Sequence, residues 1–582
     1  MKSPLTRFGW VAVASTVLVV AGCGPSEGTG SDGSAQQEGD KTLKILYWQA
    51  PSTLNPYLSG GTKDIDAASL VLEPLAQYNE RAEMLPLLAE EIPTLKNGGI
   101  AEDLRSITWK LKPGIEFSDG TPLTAEHVEF TGNYCLNPQM GCNSAASFEH
   151  VEGFEVGEDS LTITVKFSEP KGFPYGPFVG STAPILNKYQ FENCTGLRAQ
   201  ECSEQNFAPI GTGPFTVANF RAKDVITYRR NENFRHEGKP FFDRVIFKGG
   251  GEAASAARAV LETGEFDYAW NLQIEPEILA QMERAGKGRV RAGFGSQVER
   301  LIVNLTNDDP ALKDERSLYK GGENAHPFLS DHSVRKALSI AIDRNVLVEA
   351  GYGLAGKPSC NLIPAPSYYA SEANESCKVQ QIDEANRILD EAGWLMGEDG
   401  VRVKNGVRLS ILYQTSTNSV RQGTQALIKQ MWQRIGVETE LRNVDGAVFF
   451  GSDPASPDTF QKCFADIQMY TNNFVGTDPG AYVAGWTCKE IPGPDNQWVG
   501  TNDSRACDPE YDAKVPIMQQ EANREERIRL AKELNDYVVQ DYWEIPLIHR
   551  ATTSAIANSV QGPTVNPWDA ELWNIADWIR TE

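Results

Sequence analysis

The sequence has few of the residues that build catalytic and metal sites. Its six histidines are scattered and form no HExxH motif or other paired spacing. Its ten cysteines include no CxxC pair, and no GxGxxG motif follows a predicted strand. The acid pairs Glu90-Glu91 and Glu525-Glu526 are typical of charged surface. We therefore expect a protein that is not an enzyme and that holds no metal ion or cofactor.

Basic residues are also scarce. The chain has 54 Lys and Arg against 78 Asp and Glu, which gives a formal net charge of −24. A surface that binds nucleic acid needs clustered positive charge, so this composition argues against a nucleic-acid partner. It also argues against contact between the body of the protein and anionic lipid headgroups.

Long apolar runs are missing except for one at the start of the chain. Lys2 and Arg7 precede an apolar run from Phe8 to Val20, which is too short to span a bilayer comfortably. A basic start, a short apolar run and small residues predict a secretory signal peptide over 1–22. The small residues end at Cys23, as in a bacterial lipobox. The resemblance implies a Cys23 that carries acyl chains and anchors the protein to a membrane. The alternative is an ordinary signal peptide with an incidental cysteine.

Residues 24–40 contain no aliphatic or aromatic side chain larger than alanine, so residues 23–40 are predicted to be a flexible, lipid-anchored tether. The remaining chain of about 540 residues is long enough for two to four domains. Eight of its cysteines fall into close neighbours, which in an exported protein indicates local disulfides. The predicted bonds are Cys135–Cys142, Cys194–Cys202, Cys360–Cys377 and Cys488–Cys507. Cys463 is left over, and its apolar surroundings predict a buried free thiol.

Hydrophobic periodicity predicts a mixed α/β fold. Alternation predicts strands at 43–47, 107–111 and 161–167, and helical spacing predicts helices at 334–342, 382–392 and 524–541. Asp331 is the expected N-cap of the helix at 334–342. A strand at 409–413, a helix at 427–435 and a strand at 437–441 form a β-α-β unit, which implies a parallel pair of strands. His127 is expected on a solvated helix surface.

Several motifs resemble those of one protein family. Residues 109–128 read WKLKPGIEFSDGTPLTAEHV, and Gly211–Phe215, Val334–Arg344 and Leu389–Trp394 follow in the family's order. Thr53–Pro56 matches as well. Together they resemble the dipeptide/oligopeptide class of bacterial ABC-transporter extracytoplasmic solute-binding lipoproteins, the family 5 type. The similarity spans about residues 41–582.

The resemblance implies an α/β, two-lobed fold of the periplasmic-binding-protein type (class II, large peptide-binding type). The first lobe would take residues 41–303 and contain an extra subdomain at about 86–205. The second lobe would take 304–544, and 545–582 would return to the first lobe. Two segments near Arg300–Asn304 and Ile545–His549 would cross between the lobes. The lobes would close around a ligand, as a Venus flytrap does.

The resemblance also implies function and partners. The protein would capture small peptides or peptide-like solutes outside the cytoplasm and deliver them to an ABC permease and its ATPase. It would be a monomer, anchored by lipid to the outer face of the cytoplasmic membrane or lying in the periplasm. Other solutes remain open, namely an opine, an oligosaccharide or a nickel chelate. The alternative from a different class of function is a lipoprotein that serves as a sensor or adhesin and takes no part in transport.

The segment at 469–488 is the predicted ligand segment. In peptide-binding relatives the matching region carries an aromatic residue and then an Asp that pairs with the peptide's amino terminus. Here Tyr470 takes the aromatic position, and Asn472 or Asn473 stands where the acid is expected. Because an amide cannot neutralise an ammonium ion, Asp478 is the candidate counter-charge, unless another acid serves or the ligand lacks a free amine. The ligand-binding candidates are Tyr470, Asn472, Asn473, Asp478, Trp486 and Trp48.

Overall fold

The structure is a computed structural model that describes residues 41–451, 453 and 455–581. The predicted signal peptide (1–22), the tether (23–40) and the anchor residue Cys23 lie outside the described residues, so these remain predictions. Within the part of the chain that is described, no helix is both long enough and apolar enough to cross a membrane.

Strands and helices alternate through most of the described chain. In chain order the strands are β1 (Thr42–Tyr47), β2 (Ala76–Tyr78), β3 (Met84–Pro86), β4 (Ser106–Lys110), β5 (Val151–Val156), β6 (Thr162–Phe167), β7 (Phe215–Arg221), β8 (Val225–Arg230), β9 (Arg244–Gly249), β10 (Tyr268–Trp270), β11 (Gly288–Val303), β12 (Gly356–Pro358), β13 (Leu395–Met396), β14 (Arg402–Lys404), β15 (Val407–Arg408), β16 (Ser410–Ser416), β17 (Glu438–Val444), β18 (Ile467–Asn472), β19 (Glu544–Ala557), β20 (Val560–Gln561) and β21 (Ile579–Arg580). The helices are α1 (Thr62–Ala68), α2 (Ala125–Leu136), α3 (Lys188–Phe191), α4 (Ser203–Phe207), α5 (Ala253–Leu261), α6 (Pro276–Glu283), α7 (His332–Ile340), α8 (Arg344–Gly351), α9 (Ile382–Glu391), α10 (Ser419–Gln433), α11 (Gly446–Phe449), α12 (Gly480–Ala484), α13 (Pro509–Gln520) and α14 (Arg524–Gln540).

Eleven of these strands form one mixed sheet. Its order is β17-β16-β18-β11-β19-β10-β1-β9-β8-β7, and β12 adds to β19. At one end β1 runs parallel to β9 and β10, and at the other β16 runs parallel to β17 and β18. The predicted β-α-β unit is confirmed as β16-α10-β17. The α/β fold class predicted from the sequence is therefore confirmed.

Two large hydrophobic cores lie along this sheet. The first takes its residues from 43–282 and 555–578, and the second from 301–548. The long antiparallel strands β11 and β19 contribute to both cores. On β19, for example, Ile556 belongs to the first core and Ile545 to the second. The fold is therefore two-lobed, and β11 and β19 are the strands that contain the predicted crossing segments. The change from one core to the other lies between Val290 and Leu301 on β11 and between Ile548 and Ala555 on β19, next to the predicted segments. The domain boundaries given above stay predictions.

The region predicted as an inserted subdomain, about 86–205, has a sheet of its own. Strands β4, β6 and β5 form a three-stranded antiparallel sheet in the order β4-β6-β5. The alternating residues Ile107, Trp109 and Ile163 are buried on its inner face and belong to the first core. This sheet therefore extends the first lobe rather than forming an independent core.

The glycines of the family motifs have a packing role. A Cβ atom at Gly211 would lie 1.9 Å from the carbonyl oxygen of Val71, and one at Gly213 would lie 2.7 Å from the same atom. Only glycine permits so close an approach of two backbone segments. This motif therefore fixes the local packing of two backbone segments.

The predicted helices are confirmed with their caps. Asp331 Oδ1 accepts a hydrogen bond from the backbone N–H of Ser333 at 3.0 Å, as expected of an N-cap. The helix α9 ends before Gly393, which has a φ of +83°. The helix α14 matches the predicted helix at 524–541.

All four predicted disulfides are present, namely Cys135–Cys142, Cys194–Cys202, Cys360–Cys377 and Cys488–Cys507. Cys463 is free and buried, also as predicted. Burial raises the pKa of its thiol to about 12. Because the thiolate is the reactive form, this cysteine is inert at neutral pH.

The prediction that His127 lies on a solvated surface is wrong. Its side chain is buried, and its ring centroid lies 4.7 Å from that of Phe117. His127 is the third residue of α2, where its Nδ1 accepts a hydrogen bond from the Thr124 N–H at 3.3 Å. Burial lowers its pKa to about 4. The ring is thus a neutral capping group, and no local pattern in the sequence marks this inward position.

Candidate functional site

A cavity of about 480 Å³ lies between the two lobes. Its walls come from elements of both cores, including Trp270 from the first and Tyr470 from the second lobe. The volume falls in the range of small-molecule sites. Twelve aromatic side chains line it, together with many amide and hydroxyl groups. A wall of this composition suits a ligand with both apolar and hydrogen-bonding parts.

Five of the six predicted site residues line the cavity: Tyr470, Asn472, Asn473, Asp478 and Trp486. The sixth, Trp48, lies behind the wall. Its indole N–H donates to the carbonyl of Asn271 at 2.9 Å, and its ring lies 6.1 Å from that of Trp270. Trp270 therefore provides the aromatic surface that the sequence assigned to Trp48. A role of any of these residues in ligand binding stays a prediction.

Strand pairing places Tyr470 in the wall. It lies on β18 directly opposite Arg300 of β11, and the guanidinium of Arg300 is 4.9 Å from the centre of the Tyr470 ring. The Tyr470 hydroxyl donates to Asp503 Oδ2 at 2.5 Å. Arg300 in turn forms a buried ion pair with Glu544 of β19. The aromatic residue is thus held between an arginine and a carboxyl group.

Asn472 and Asn473 follow Tyr470 at the end of β18. The Asn472 side-chain oxygen accepts a hydrogen bond from the Asn473 N–H at 3.0 Å, so part of this side chain supports the local backbone. Asn473 is half-buried. The side-chain amide of Asn473 makes no hydrogen bond to the other described residues and remains available to a ligand.

Asp478 lines the cavity but already has a positive partner. Its two oxygens face Arg527 of α14, with Oδ2 2.6 Å from Nε and Oδ1 2.5 Å from Nη2. Oδ1 also accepts from the N–H of Gly480 at 2.9 Å, which caps α12. A bidentate pair of this kind uses most of the acceptor capacity of the carboxylate. Asp478 is therefore a poorly placed counter-charge for a ligand ammonium.

A second charged network supports the wall at the crossing strands. Glu299 of β11 is fully buried and pairs with Arg421 of α10 at 2.8 Å. Burial alone would raise the pKa of Glu299, but the Arg421 charge and hydrogen bonds outweigh burial and hold it below its usual value. The hydroxyl of Thr471 donates to the same carboxylate at 2.5 Å. Arg550 joins this network through Thr471 at 3.2 Å.

Arg550 differs from the other arginines in the wall because it forms no ion pair within 4.0 Å among the described residues. Its guanidinium donates to the side-chain oxygens of Gln273 and Asn271. Burial lowers its pKa, while the negative charge of Glu299 opposes that shift. The wall around Arg550 therefore has positive character.

Two buried acids line the wall of the first lobe. Burial raises the pKa of Asp66 well above its usual value and that of Glu571 to about 7. Glu571 Oε2 accepts hydrogen bonds from the hydroxyls of Tyr268 at 2.6 Å and Ser554 at 2.5 Å. Mutual repulsion between the two acids adds to the shift of Asp66. Because protein groups donate hydrogen bonds to the oxygens of these acids, we interpret the two acids as part of a structural hydrogen-bonded cluster.

Within the described residues one group of side chains has metal-ligand geometry. Asp308, His326 and Asp466 place ligand atoms within 4.8 Å of one another. However, His326 Nδ1 accepts the N–H of Leu329 at 2.9 Å, so its Nε2 carries the proton and faces Asp466 Oδ1 at 2.7 Å. A nitrogen that carries a proton cannot bind a metal ion. The geometry is that of a buried His–Asp hydrogen bond.

Most charged residues of the wall were not predicted. Arg300 lies in the segment that was predicted to cross between the lobes, but nothing marked its side chain. Lys171, Arg421, Asp503 and Arg550 lie on separate segments without a shared motif. Only the fold brings them to one cavity, so no local signal could have found them.

Two lobes that enclose a cavity at a pair of crossing strands define a binding protein that holds its ligand between the lobes. The family model for bacterial extracellular solute-binding proteins, family 5, matches residues 83–503, which is more than half of the chain. The chain therefore belongs to family 5 of the bacterial extracellular solute-binding proteins. Members of this family are solute-binding proteins.

Individual relatives agree with this assignment. Protein XP55 of Streptomyces lividans is 26% identical over 450 residues, covering 76% of this chain and 74% of that protein. The oligopeptide-binding protein AppA of Bacillus subtilis is 26% identical over 465 residues, covering 76% of this chain and 77% of AppA.

Solved structures confirm the fold. AppA of Bacillus subtilis, in complex with a nonapeptide, superposes with a TM-score of 0.77 at 20% identity, covering 93% of this chain and 99% of AppA. NikZ of Campylobacter jejuni, in complex with Ni(L-His), gives a TM-score of 0.76 at 20% identity with the same coverage. The predicted two-lobed fold of the large peptide-binding type is thereby confirmed.

Proposed function

We propose that this protein captures peptides or peptide-like solutes in the cavity between its lobes and delivers them to an ABC permease and its ATPase. The observation that carries the proposal is the wall of the cavity, where aromatic faces alternate with amide and hydroxyl groups. Aromatic faces accept many side chains, and amides match the peptide backbone, so affinity would tolerate different sequences. The relatives named as oligopeptide-binding support the same solute class.

The rest of the proposal concerns how the protein works in the cell envelope. It acts by binding alone, as a monomer, and it exposes the loaded, closed form to the permease. Cys23 carries the acyl chains that hold the protein at the outer face of the cytoplasmic membrane or in the periplasm. Two or more chains are needed for a stable anchor.

Native mass spectrometry of the purified protein tests the solute class. The protein is incubated with a random-sequence library of tripeptides to pentapeptides and, separately, with Ni(L-His) and an oligosaccharide. We expect retention of one peptide per protein and no retention of the other two solutes. Retention of Ni(L-His) or the oligosaccharide with no peptide bound would overturn the proposal.

A pair of variants links the binding to the cavity. Asn473→Ala removes an amide in the wall, and we expect its peptide affinity to fall about fivefold, the usual effect of one neutral hydrogen bond. Asn193→Ala is the matched control, because Asn193 is exposed and lies outside the cavity wall. Equal affinity of the two variants would mean that peptides bind elsewhere.

A further inference from the structure

The region of the first lobe that carries the sheet β4-β6-β5 contacts the second lobe away from the crossing strands. Glu149, just before β5, pairs with Lys489, and its Oε2 accepts a hydrogen bond from the side-chain N–H of Gln519 at 3.1 Å. Glu169, just after β6, accepts a hydrogen bond from the side chain of Gln520. The partners are between 340 and 370 residues apart in the chain. These contacts therefore join the two lobes.

A backbone contact accompanies these side-chain contacts. The N–H of Gly172 donates to the carbonyl oxygen of Gln519 at 2.9 Å. A Cβ atom at Gly172 would lie 1.9 Å from the carbonyl oxygen of Glu521, which is much closer than such atoms can approach. The φ of Gly172 lies outside the left-handed range that favours glycine. The close approach of the second lobe therefore accounts for the glycine at this position.

The contacts lie at the rim of the cavity. Lys171 and Phe173 belong to the cavity wall, whereas Glu149, Gly172 and Lys489 do not. A solute held in the cavity therefore does not need to touch the carboxylate of Glu149 or the amine of Lys489. Because protein groups supply both sides of each contact, the contacts form whenever the two lobes come together.

We propose that Glu149, Glu169 and Gly172 form a rim latch, which binds Lys489 and the end of α13 and holds the two lobes closed even without a solute. The latch raises the affinity for every solute by the same factor, because it favours the closed form and touches no solute. The inference goes beyond the proposed function, since it gives the region around β4-β6-β5 a role that does not depend on which solute is bound.

The environment of Glu149 agrees with a contact that stabilises the closed form. Its side chain is 17% exposed, so the carboxylate is mostly shielded from water. Burial alone would raise the pKa of Glu149, but the hydrogen bond from Lys489 and the charge of that lysine outweigh burial and hold the pKa below its usual value. The carboxylate is thus charged at neutral pH, and the second lobe supplies its counter-charge.

Small-angle scattering of protein that native mass spectrometry shows to carry no solute tests the latch directly. Glu149→Ala removes both side-chain contacts of that carboxylate, so we expect a larger radius of gyration than in wild type, because more molecules are open. Glu155→Ala is the matched control and should leave the radius unchanged, since Glu155 is exposed and pairs with Lys166 of the same small sheet. Equal radii of Glu149→Ala and wild type would overturn the latch.

Two further variants test the partners. Lys489→Met should open the protein less than Glu149→Ala does, because Gln519 still holds the carboxylate, and the double variant should be no more open than Glu149→Ala alone. Additive effects would contradict the pairing. In Gly172→Ala the new methyl group meets the second lobe only in the closed form, so we expect a folded protein, checked by circular dichroism, with a larger radius of gyration. An unchanged radius would also overturn the latch.

The affinity for the library of tripeptides to pentapeptides gives a second measurement. Glu149→Ala should bind the library about three- to tenfold more weakly, the usual effect of one or two hydrogen bonds, and should retain the same peptides as wild type. A change in which peptides are retained would place Glu149 in contact with the solute and overturn the latch. If wild-type protein binds no peptide, the proposed function fails, and the scattering of the solute-free variants decides the latch by itself.

Discussion

Two arginines of the cavity wall differ in how completely the protein surrounds them. Arg527 forms a bidentate pair with Asp478, and its Nη1 donates to the carbonyl of Met518 at 2.5 Å. Arg300 pairs with Glu544, but in the part of the chain that the structure describes its Nη1 has no partner, and neither does Oδ1 of the nearby Asp503. Both side chains are nearly fully buried. Burial alone therefore does not show whether the hydrogen bonds of a charged group are complete.

The difference lies in which hydrogen bonds are complete. Around Arg527 and Asp478 the protein itself supplies partners for the charged atoms, so a ligand would have to break existing bonds. Around Arg300 and Asp503 two charged-group atoms have no hydrogen-bond partner among the described residues. In energetic terms the first region is fully hydrogen-bonded and stabilises the fold, and the second leaves part of its hydrogen-bonding capacity unused.

Breaking the ion pair between Arg527 and Asp478 should have the largest effect on stability. Arg527→Met leaves the buried carboxylate of Asp478 without a counter-charge, so we expect the free energy of unfolding to fall by about 3–5 kcal/mol. Arg529→Met is the control on the same helix, since Arg529 is exposed and its surface ion pairs contribute little to stability. Urea unfolding followed by tryptophan fluorescence measures both. Similar losses in the two variants would contradict the structural role of Arg527.

A change of pH should alter the stability of the protein through the carboxyl group of Asp503. The pKa of Asp503 is higher in the folded protein than its usual value, so the folded state holds this proton more tightly. Stability from this group is therefore largest at low pH, falls as the pH rises toward about 7, and then levels off. Asp503→Asn removes this dependence. Between pH 4 and pH 8, in the absence of ligand, the free energy of unfolding of the variant should rise by up to about 4 kcal/mol relative to that of wild type.

Thermal melting of wild type and Asp503→Asn over that pH range checks the effect. Asp453→Asn serves as the control, because Asp453 is exposed. If the stability difference between Asp503→Asn and wild type were constant from pH 4 to pH 8, the carboxyl of Asp503 would not be held in the way the structure shows.

The smallest expected effect compares two tyrosine hydroxyls, one with a hydrogen-bond partner and one without. The Tyr511 hydroxyl donates to the carbonyl of Val483 at 2.7 Å, whereas the Tyr482 hydroxyl has no partner within the described residues. Tyr511→Phe should therefore lower the free energy of unfolding by about 1 kcal/mol, and Tyr482→Phe should leave it nearly unchanged. Urea unfolding of the two variants measures the difference. A larger loss for Tyr482→Phe would indicate a structural bond at that hydroxyl.

Local features of the chain could be predicted well. The helix α14 follows from the spacing of Ile528, Ala531 and Leu534, because an amphipathic pattern reports which face is buried. The disulfides follow from cysteines separated by 7 to 19 residues. Such features depend on residues close together in the chain. His127 shows the limit, since the inward turn of a helix start depends on what packs against it.

The candidate site was only partly predictable. The segment at 469–488, which begins within β18, was found because five of the candidate residues fall in this one stretch of sequence. Asp478 was chosen as the counter-charge because nothing local marks Arg527, which is 49 residues away, as its partner. Trp48 was chosen where Trp270 provides the surface, because a position next to a strand does not say which side chain reaches the cavity.

By itself the sequence determined the α/β class, the two-lobed family fold, the disulfides and the segment that lines the cavity. Periodicity, neighbouring cysteines and family motifs are properties of short stretches, and they survive without knowledge of the rest of the chain. Only the tertiary structure decided which charged groups have all their hydrogen-bond and ion-pair partners. Arg300 and Glu544 are 244 residues apart, and Tyr470 and Asp503 are 33 apart. Whether a buried charge is satisfied depends on atoms that distant segments bring within about 3 Å, and that distance exists only in the folded protein.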